Sequence, residues 1–152
     1  MDASVARMWA AYRVKSRMSP ASPPPPAWHF CDNESDANTC AALVLSGHKR
    51  ATTPSLWFLE SRGLAVPVGG DLDIVADWDG VAQCVIRTTD VAIVPFEAVT
   101  AAYAAAEGEG DGSLESWRAV HWAYYERELA GTGFLRTEDM PVVCQRFEMV
   151  YP

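Results

Sequence analysis

A strand-forming segment with one turn signal near its middle constrains the fold of this chain more than any other feature. Residues 69–94, GGDLDIVADWDGVAQCVIRTTDVAIV, alternate apolar with polar positions or are rich in β-branched residues on both sides of Asp79-Gly80. Aspartate followed by glycine is a strong signal for a two-residue hairpin turn. The last segment, VVCQRFEMVY at residues 142–151, has the β-branched and aromatic content of a strand. The sequence therefore predicts a hairpin in a sheet that the C-terminal strand closes.

Helical patterns occupy three segments around these strands: residues 36–46, 95–106 and 113–129. Asp36 and Ser113 are suited to cap the first and the third helix, because their side-chain oxygens accept hydrogen bonds from the first turn. Gly47 supplies the left-handed residue that commonly ends a helix. Strands and helices that alternate in no regular βαβ rhythm predict an α+β domain, with a small curled mixed sheet or barrel flanked by helices.

Three segments divide the chain. Residues 1–18 are predicted to form an N-terminal docking helix, because four apolar residues share one helical face; these are Val5, Met8, Trp9 and Tyr12. Residues 19–27 contain SPASPPPP, which favours an extended, semi-rigid linker or, alternatively, a ligand for an aromatic groove. The main domain is expected over residues 28–152. We expect the helix to dock on a partner or on a second copy, forming a homodimer; a helix on a membrane surface is the alternative.

The acidic balance of the chain restricts its partners. The formal net charge is −8 and the isoelectric point is about 4.7, so the mean field repels polyanions. A short oligonucleotide or a nucleoside still fits, because screening confines surface fields to about 8 Å at physiological salt. No apolar run is long enough to span a bilayer, and the N-terminal residues lack the uninterrupted apolar segment of a signal peptide. We therefore expect a cytoplasmic protein with no membrane partner.

The four cysteines, Cys31, Cys40, Cys84 and Cys144, are scattered along the chain. No CxxC pair and no histidine at zinc-finger spacing accompanies them, so neither a zinc site nor a disulfide framework is indicated. Buried free thiols are the expectation. The carboxylates of EGEGD, residues 107–111, alternate with glycines but complete no EF-hand loop. No cofactor and no metal ligand is therefore assigned, and a divalent metal stays open as an alternative.

The stretch SGHKRATTPSLW, residues 46–57, carries the first candidate chemistry. Lys49 and Arg50 after a helix end are explained by the negative end of the helix dipole alone. Alternatively, Lys49 and Thr52 project to one rim, where a desolvated amine acts as a base or stabilises charge and a hydroxyl attacks or orients water. Such chemistry needs an acidic partner, for which Glu107 and Glu109 are candidates unless their loop is simply solvated.

Aromatic and histidine side chains are the second group of candidates. Trp57 and Trp117 could stack on a base, with Lys49 and Arg50 on phosphate, although large aromatics serve packing more often. His121 lies on the apolar stripe of the predicted helix over residues 113–129. We expect it to be a hydrogen-bonded core histidine rather than a catalytic one.

In the order of its segments the chain resembles the ASCH domain family of the PUA-like superfamily. The resemblance covers residues 28–152 and is carried by HFCDN, LVLSGHKRATTPSLW, GDLDIV, CVIRTTDVAIVPF, AEGEGDGSLESWRAVHWAYY and DMPVVCQRFEMVYP. It implies a PUA-like β-barrel with surrounding helices and a cleft suited to RNA or a nucleoside. Family members are regarded as RNA-binding or RNA-processing modules, one branch is linked to ribonuclease activity, and another deacetylates acetylcytidine.

The resemblance also implies site residues. In the deacetylating branch a lysine, a threonine and a glutamate act together, and the matching positions here are Lys49, Thr52 and Glu109, with Glu107 as the neighbouring alternative. Asp32 of HFCDN would contact the ligand. Two positions depart from the family pattern: relatives often have threonine where this chain has Arg50, and often glycine where it has Cys31.

Three functions follow from these observations. The first is an RNA- or nucleotide-binding protein with ribonuclease-like hydrolytic activity. The second is an amidohydrolase that deacetylates a modified nucleoside such as acetylcytidine. The third is a module without catalysis that binds RNA or a protein. The expected ligand is a short single-stranded RNA or a modified nucleoside.

Overall fold

The computed structural model describes residues 1–152 and contains one five-stranded mixed sheet. The strands are β1 (Ala27–Trp28), β2 (Ala51–Thr52), β3 (Leu72–Ala76), β4 (Ala82–Pro95) and β5 (Pro141–Tyr151), in the order β1-β3-β4-β5-β2. β1 pairs with β3 in parallel and the other pairs are antiparallel. The predicted α+β class with a mixed sheet is confirmed. The sheet is not a closed barrel, because the two-residue strands β1 and β2 each end it at an edge.

Five α-helices surround the sheet. They are α1 (Ala3–Lys15), α2 (Glu34–Leu45), α3 (Leu56–Ser61), α4 (Ala101–Glu107) and α5 (Leu114–Glu128), and a 3-10 turn covers Phe96–Ala98. None of these helices is both long enough and apolar enough to cross a bilayer. The sequence prediction did not include α3.

The predicted hairpin is present, with a longer loop than the turn signal implied. Ala76 pairs with Ala82, so residues 77–81 form the connection. Asp77 holds this loop: its amide donates to the Val81 carbonyl, and its carboxylate accepts from the Val81 amide at 2.9 Å. Gly80 adopts a φ of +86° within it. The two-residue turn was therefore wrong in length, because the Asp77 side chain stabilises a wider loop.

Helix caps decide the boundaries of the longer helices. Asn33, and not Asp36, caps α2: its side-chain oxygen accepts from the Asp36 amide at 2.9 Å. The predicted N-cap was therefore wrong by three residues, although Gly47 follows the helix with a φ of +81° as expected. Ser113 caps α5 as predicted, through a 3.1 Å bond from the Ser116 amide.

Helix α1 packs on the sheet of its own chain. Its apolar face is buried in a cluster that also contains Ile74 and Val85 of β3 and β4; the buried members from α1 are Val5, Trp9 and Tyr12. The Trp9 indole donates to the Ser22 carbonyl at 2.9 Å, which ties the linker to the helix. This apolar face is already covered, so the predicted homodimer, which remains a prediction, would have to use another face of α1.

Candidate active site

A cavity of about 680 Å³ lies between the sheet and helices α2, α3 and α5. Its volume falls within the range of about 300–1,000 Å³ that is typical of small-molecule sites. The lining includes polar side chains from distant parts of the chain; among them are Asp32, Asp36, Lys49, Thr52, Thr53, Asp73, Glu107, Glu109, His121, Arg127 and Gln145. The fold therefore brings Lys49, Thr52 and both candidate glutamates to one cavity.

Lys49 is buried, with 2% of its surface exposed. Gly47 turns the chain at the end of α2, and the Lys49 amide donates back to the Leu43 carbonyl. The ammonium donates to the Ala51 carbonyl at 2.8 Å and to Glu107 Oε1 at 3.5 Å. Glu109 Oε2 lies 3.8 Å from the same nitrogen.

The two glutamates determine the protonation of Lys49. Burial alone would lower the pKa of Lys49, because it disfavours the charged form. The charges of Glu107 and Glu109 outweigh this effect, and the pKa of Lys49 is raised above its ordinary value. The side chain is therefore an ammonium ion, suited to stabilise negative charge rather than to accept a proton.

Glu107, at the end of α4, is the centre of the polar cluster. Its side chain is 1% exposed, and its Oε2 accepts hydrogen bonds from the Trp117 indole and from His121 Nε2. Burial would raise the pKa of Glu107, but Lys49 and His121 hold it well below the ordinary value of 4.5. Glu107 is therefore a buried carboxylate whose contacts hold Lys49 and His121 in place.

His121 is held as an imidazolium ion by two acceptors. Nδ1 lies 2.9 Å from the Trp117 carbonyl oxygen, and Nε2 lies 2.8 Å from Glu107 Oε2. Since a carbonyl and a carboxylate only accept, both ring nitrogens must donate. Burial would lower the pKa of His121, but Glu107 raises it above 6.5. The residue is buried as expected, and it also lines the cavity.

Gly108 explains how two glutamates reach one lysine. Its φ is +68°, and a Cβ at this position would overlap the His48 carbonyl oxygen. Only glycine therefore allows the segment after α4 to pass so close to the backbone of His48 and Lys49. A 2.7 Å bond from the Arg50 amide to the Ala106 carbonyl fixes this approach. The EGEGD segment is thus ordered on the cavity wall, where Glu109 is a quarter exposed.

Thr52 lies on the edge strand β2, opposite Gln145 of β5, and its side chain lines the cavity. The Tyr103 hydroxyl donates to the Thr52 carbonyl at 2.8 Å and bonds the Thr53 hydroxyl at 2.9 Å. These contacts fix the backbone of β2 and use the Thr53 hydroxyl. The Thr52 hydroxyl makes no hydrogen bond within the protein, and Thr52 is part of the cavity lining.

The predicted ligand-binding residues are divided between the cavity and other surfaces. Asp32 lines the cavity and forms an ion pair with Arg127 at 2.6 Å. Arg50 is exposed and is not part of the lining. Trp57 stacks on Phe134 outside the cavity, with ring centroids 5.1 Å apart.

Trp117 is buried beneath the cavity and stacks on His121 with centroids 4.1 Å apart. The aromatic side chains that do line the cavity include Trp28 and Tyr124, which the sequence reasoning missed as ligand contacts. Tyr124 lies three residues after His121 and so shares the apolar stripe of that helix, and this position was the available signal.

Negative charge dominates the cavity. Five carboxylates line it, from Asp32, Asp36, Asp73, Glu107 and Glu109. The three cationic side chains of the lining, Lys49, Arg127 and the His121 imidazolium, are each paired with a carboxylate, which leaves a surplus of two negative charges. A phosphate group would therefore meet no unpaired lysine or arginine in the cavity, whereas a neutral or cationic ligand meets no such barrier.

Comparisons with known proteins agree on one family. The sequence model of the ASCH domain matches residues 26–151. A crystal structure of an ASCH domain from Lactobacillus crispatus is 33% identical, with a TM-score of 0.90, and the match covers 100% of this chain and 97% of that chain. Protein EF3133 of Enterococcus faecalis is 32% identical, with a TM-score of 0.89, over 97% of this chain and 88% of that one. No curated protein matches the chain.

Proposed function

This chain belongs to the ASCH domain family, and we propose that it is a hydrolase that removes an acyl group from the base of a modified nucleoside such as acetylcytidine. One observation carries the proposal. The Lys49 ammonium lies between Glu107 and Glu109 in the wall of a nucleoside-sized cavity that also holds the Thr52 hydroxyl.

The charge of the cavity selects the ligand. A nucleoside without phosphate is neutral and avoids the repulsion that the five lining carboxylates exert on a phosphodiester. Trp28 and Tyr124 supply aromatic surface for a base in the same cavity. The amide N–H of an acylated cytidine and its ribose hydroxyls are hydrogen-bond donors, and the carboxylates of the lining can accept from them.

The chemistry divides among three side chains. Thr52 supplies or orients the attacking oxygen, which adds to the amide carbonyl carbon while its proton passes to Glu109. The Lys49 ammonium stabilises the negative oxygen of the tetrahedral intermediate. When the intermediate collapses, the C–N bond breaks and Glu109 returns the proton to the leaving amino nitrogen. If the attacking oxygen belongs to water, the products are acetate and the free nucleoside. If it belongs to Thr52, the nucleoside leaves first and a water then hydrolyses the acetyl ester of Thr52 to acetate, so one water is consumed in either case.

Glu107 and His121 act as positioning residues in this scheme. Glu107 holds the ammonium through its 3.5 Å contact, and the imidazolium of His121 balances the second oxygen of that carboxylate. This arrangement keeps Lys49 charged during turnover. Lys49 therefore stabilises the oxyanion and is not the general base.

Ribonuclease-like cleavage, the other hydrolytic function that the sequence predicts, is the less favoured proposal. Its transition state places extra negative charge on a phosphate, which free cations usually stabilise. Arg50, the cation expected to bind phosphate, lies outside the cavity lining. An RNA substrate therefore belongs in the same experiment as the nucleoside.

The test is turnover measured by liquid chromatography, with acetylcytidine and a short single-stranded RNA as parallel substrates. We expect the wild-type protein to release cytidine and to leave the RNA intact. Thr52→Val and Glu109→Gln should each lower kcat by about a hundredfold or more, whereas Glu148→Gln on the exposed surface should match the wild type. Cleavage of the RNA without deacetylation, or full activity of Thr52→Val, would overturn the proposal.

A further inference from the structure

Two thiols and a carboxylate converge on the cavity wall. The proposed hydrolysis uses the carboxylate but neither of the thiols. Cys31 Sγ lies 3.7 Å from Cys40 Sγ, and Cys40 Sγ lies 2.7 Å from Glu109 Oε1. One donor atom from each residue lies within 4.8 Å of the other two. All three side chains line the cavity. We propose that Cys31, Cys40 and Glu109 bind a thiophilic divalent cation such as Zn²⁺, with its fourth coordination position open to the cavity.

The separation of the sulfurs fits such an ion. Two Zn–S bonds of about 2.3 Å at a tetrahedral angle place the sulfurs about 3.8 Å apart, close to the 3.7 Å between Cys31 and Cys40. A Zn–O bond of about 2.0 Å requires about 3.5 Å between Glu109 Oε1 and each sulfur. The carboxylate must therefore move away from Cys40 by about 0.8 Å. Glu109 is a quarter exposed, which leaves its side chain room to do so.

The backbone of Cys31 is the second observation that supports the site. Its φ is +62°, and Arg17 is the only other non-glycine residue of the chain with a positive φ. A side chain in this conformation is strained relative to glycine. Strain of this kind is typical of residues whose side chain has a function. Here the strained backbone carries the thiol that faces Cys40.

The surroundings of the three donors match the charge of the complex. Two thiolates and one carboxylate leave one negative charge after a divalent ion binds. The Lys49 ammonium, 3.8 Å from Glu109 Oε2, is placed to balance it and to hold the carboxylate as outer-shell groups do in metal sites. Both thiols must lose their protons when the ion binds, so metal affinity should increase with pH.

The metal site does not depend on the proposed hydrolysis, but a bound metal ion would affect that hydrolysis. Coordination of Glu109 removes the group assigned as proton acceptor. Bound Zn²⁺ should therefore slow deacetylation, and a chelator should restore it. Since metal binding is measured without substrate, absence of deacetylation and absence of a metal site are separate results.

The test uses the full chain, reduced and kept free of oxygen. Zn²⁺ is titrated in competition with a chromophoric chelator, and Co²⁺ is added separately to detect thiolate-to-metal charge-transfer absorption. We expect one equivalent to bind to the wild type and to Cys84→Ala, whose buried thiol lies on β4 and is not part of the cavity lining. Cys31→Gly and Cys40→Ala should weaken binding by at least about a hundredfold, more than loss of an outer-shell partner does.

Cys31→Gly separates a ligand from a structural residue. Glycine removes the strain at φ +62°, so the variant should be as stable as the wild type or more stable while losing the metal. Unchanged affinity in Cys31→Gly would overturn the proposal, as would a wild-type cobalt spectrum without the thiolate band. If the reduced protein binds no metal and air oxidation instead joins Cys31 to Cys40, as mass spectrometry would show, the pair is a redox element and the metal site is refuted.

Discussion

The buried carboxylate of Glu107 provides the strongest prediction of stability. Glu107→Gln keeps the shape of the side chain and removes its charge. Lys49, 2% exposed, would then retain only the more distant Glu109 as a countercharge, and the imidazolium of His121 would lose its acidic partner. Breaking a buried ion pair by removing one partner costs about 3–5 kcal/mol, because the remaining charge is buried without compensation.

A second ion pair serves as a matched control. Arg87 Nε lies 3.5 Å from Glu148 Oε1, the same separation as between Lys49 and Glu107, but both of its side chains are about half exposed. Exposed pairs contribute about 0–1 kcal/mol, so Glu148→Gln should hardly change stability. Urea unfolding at pH 7 measures both variants. For a chain of this length, the loss in Glu107→Gln corresponds to a decrease in Tm on the order of 10 °C.

The pH dependence tests the cause of the loss. Folding lowers the pKa of Glu107 below 4.5, so its ionic stabilisation is complete above that pH and decreases as the pH falls further. The difference in unfolding free energy between wild type and Glu107→Gln should therefore shrink below about pH 4.5. Equal losses in Glu107→Gln and Glu148→Gln, or a difference that does not depend on pH, would refute the reasoning.

Three further substitutions test packing and hydrogen bonding by urea unfolding. Gly108→Ala should destabilise the protein clearly more than Gly112→Ala. Gly112 has a similar φ of +76° but open space around it, so its substitution should cost about 1–2 kcal/mol. Equal costs of the two substitutions would contradict the close backbone approach at Gly108. Trp9→Ala should cost about 3–5 kcal/mol. Val14 is 82% exposed, so Val14→Ala should cost at most about 0.5 kcal/mol. A small effect of Trp9→Ala would contradict the packing of α1 on the sheet. Trp117→Phe keeps a stacked ring but removes the indole donor to the buried glutamate, and should cost about 1.5–3 kcal/mol; unchanged stability would show that this hydrogen bond contributes little.

Local patterns predicted the parts of the fold that local interactions determine. The β3–β4 hairpin and helix α5 were confirmed because Asp79-Gly80 and Ser113 act within a few residues of themselves. The short strands β1 and β2 depend instead on partners far along the chain, Ile74 and Arg146 among them. No pattern of two residues indicates such pairing, so the open sheet could not be distinguished from a barrel.

The candidate site shows the same division. The turn after α2 and the glycine-rich segment pointed to Lys49 and to the glutamates, because glycine spacing is visible in sequence. The burial of Lys49 is not visible in sequence. Because Lys49 follows a turn, the sequence predicts that it lies at an exposed rim, yet the close approach of Gly108 covers it. Cys31 and Cys40 lack zinc-finger spacing, and only the fold brings their sulfurs to 3.7 Å.

The central claim is that this acidic cavity accepts a neutral nucleoside in preference to a phosphate. Isothermal titration of cytidine and of cytidine monophosphate, each at low and at high salt, tests it most directly. We predict that, at low salt, cytidine binds more tightly than cytidine monophosphate. The affinity for cytidine should hardly depend on salt, because no phosphate is involved. Tighter binding of the monophosphate, weakening as salt is added, would contradict the claim.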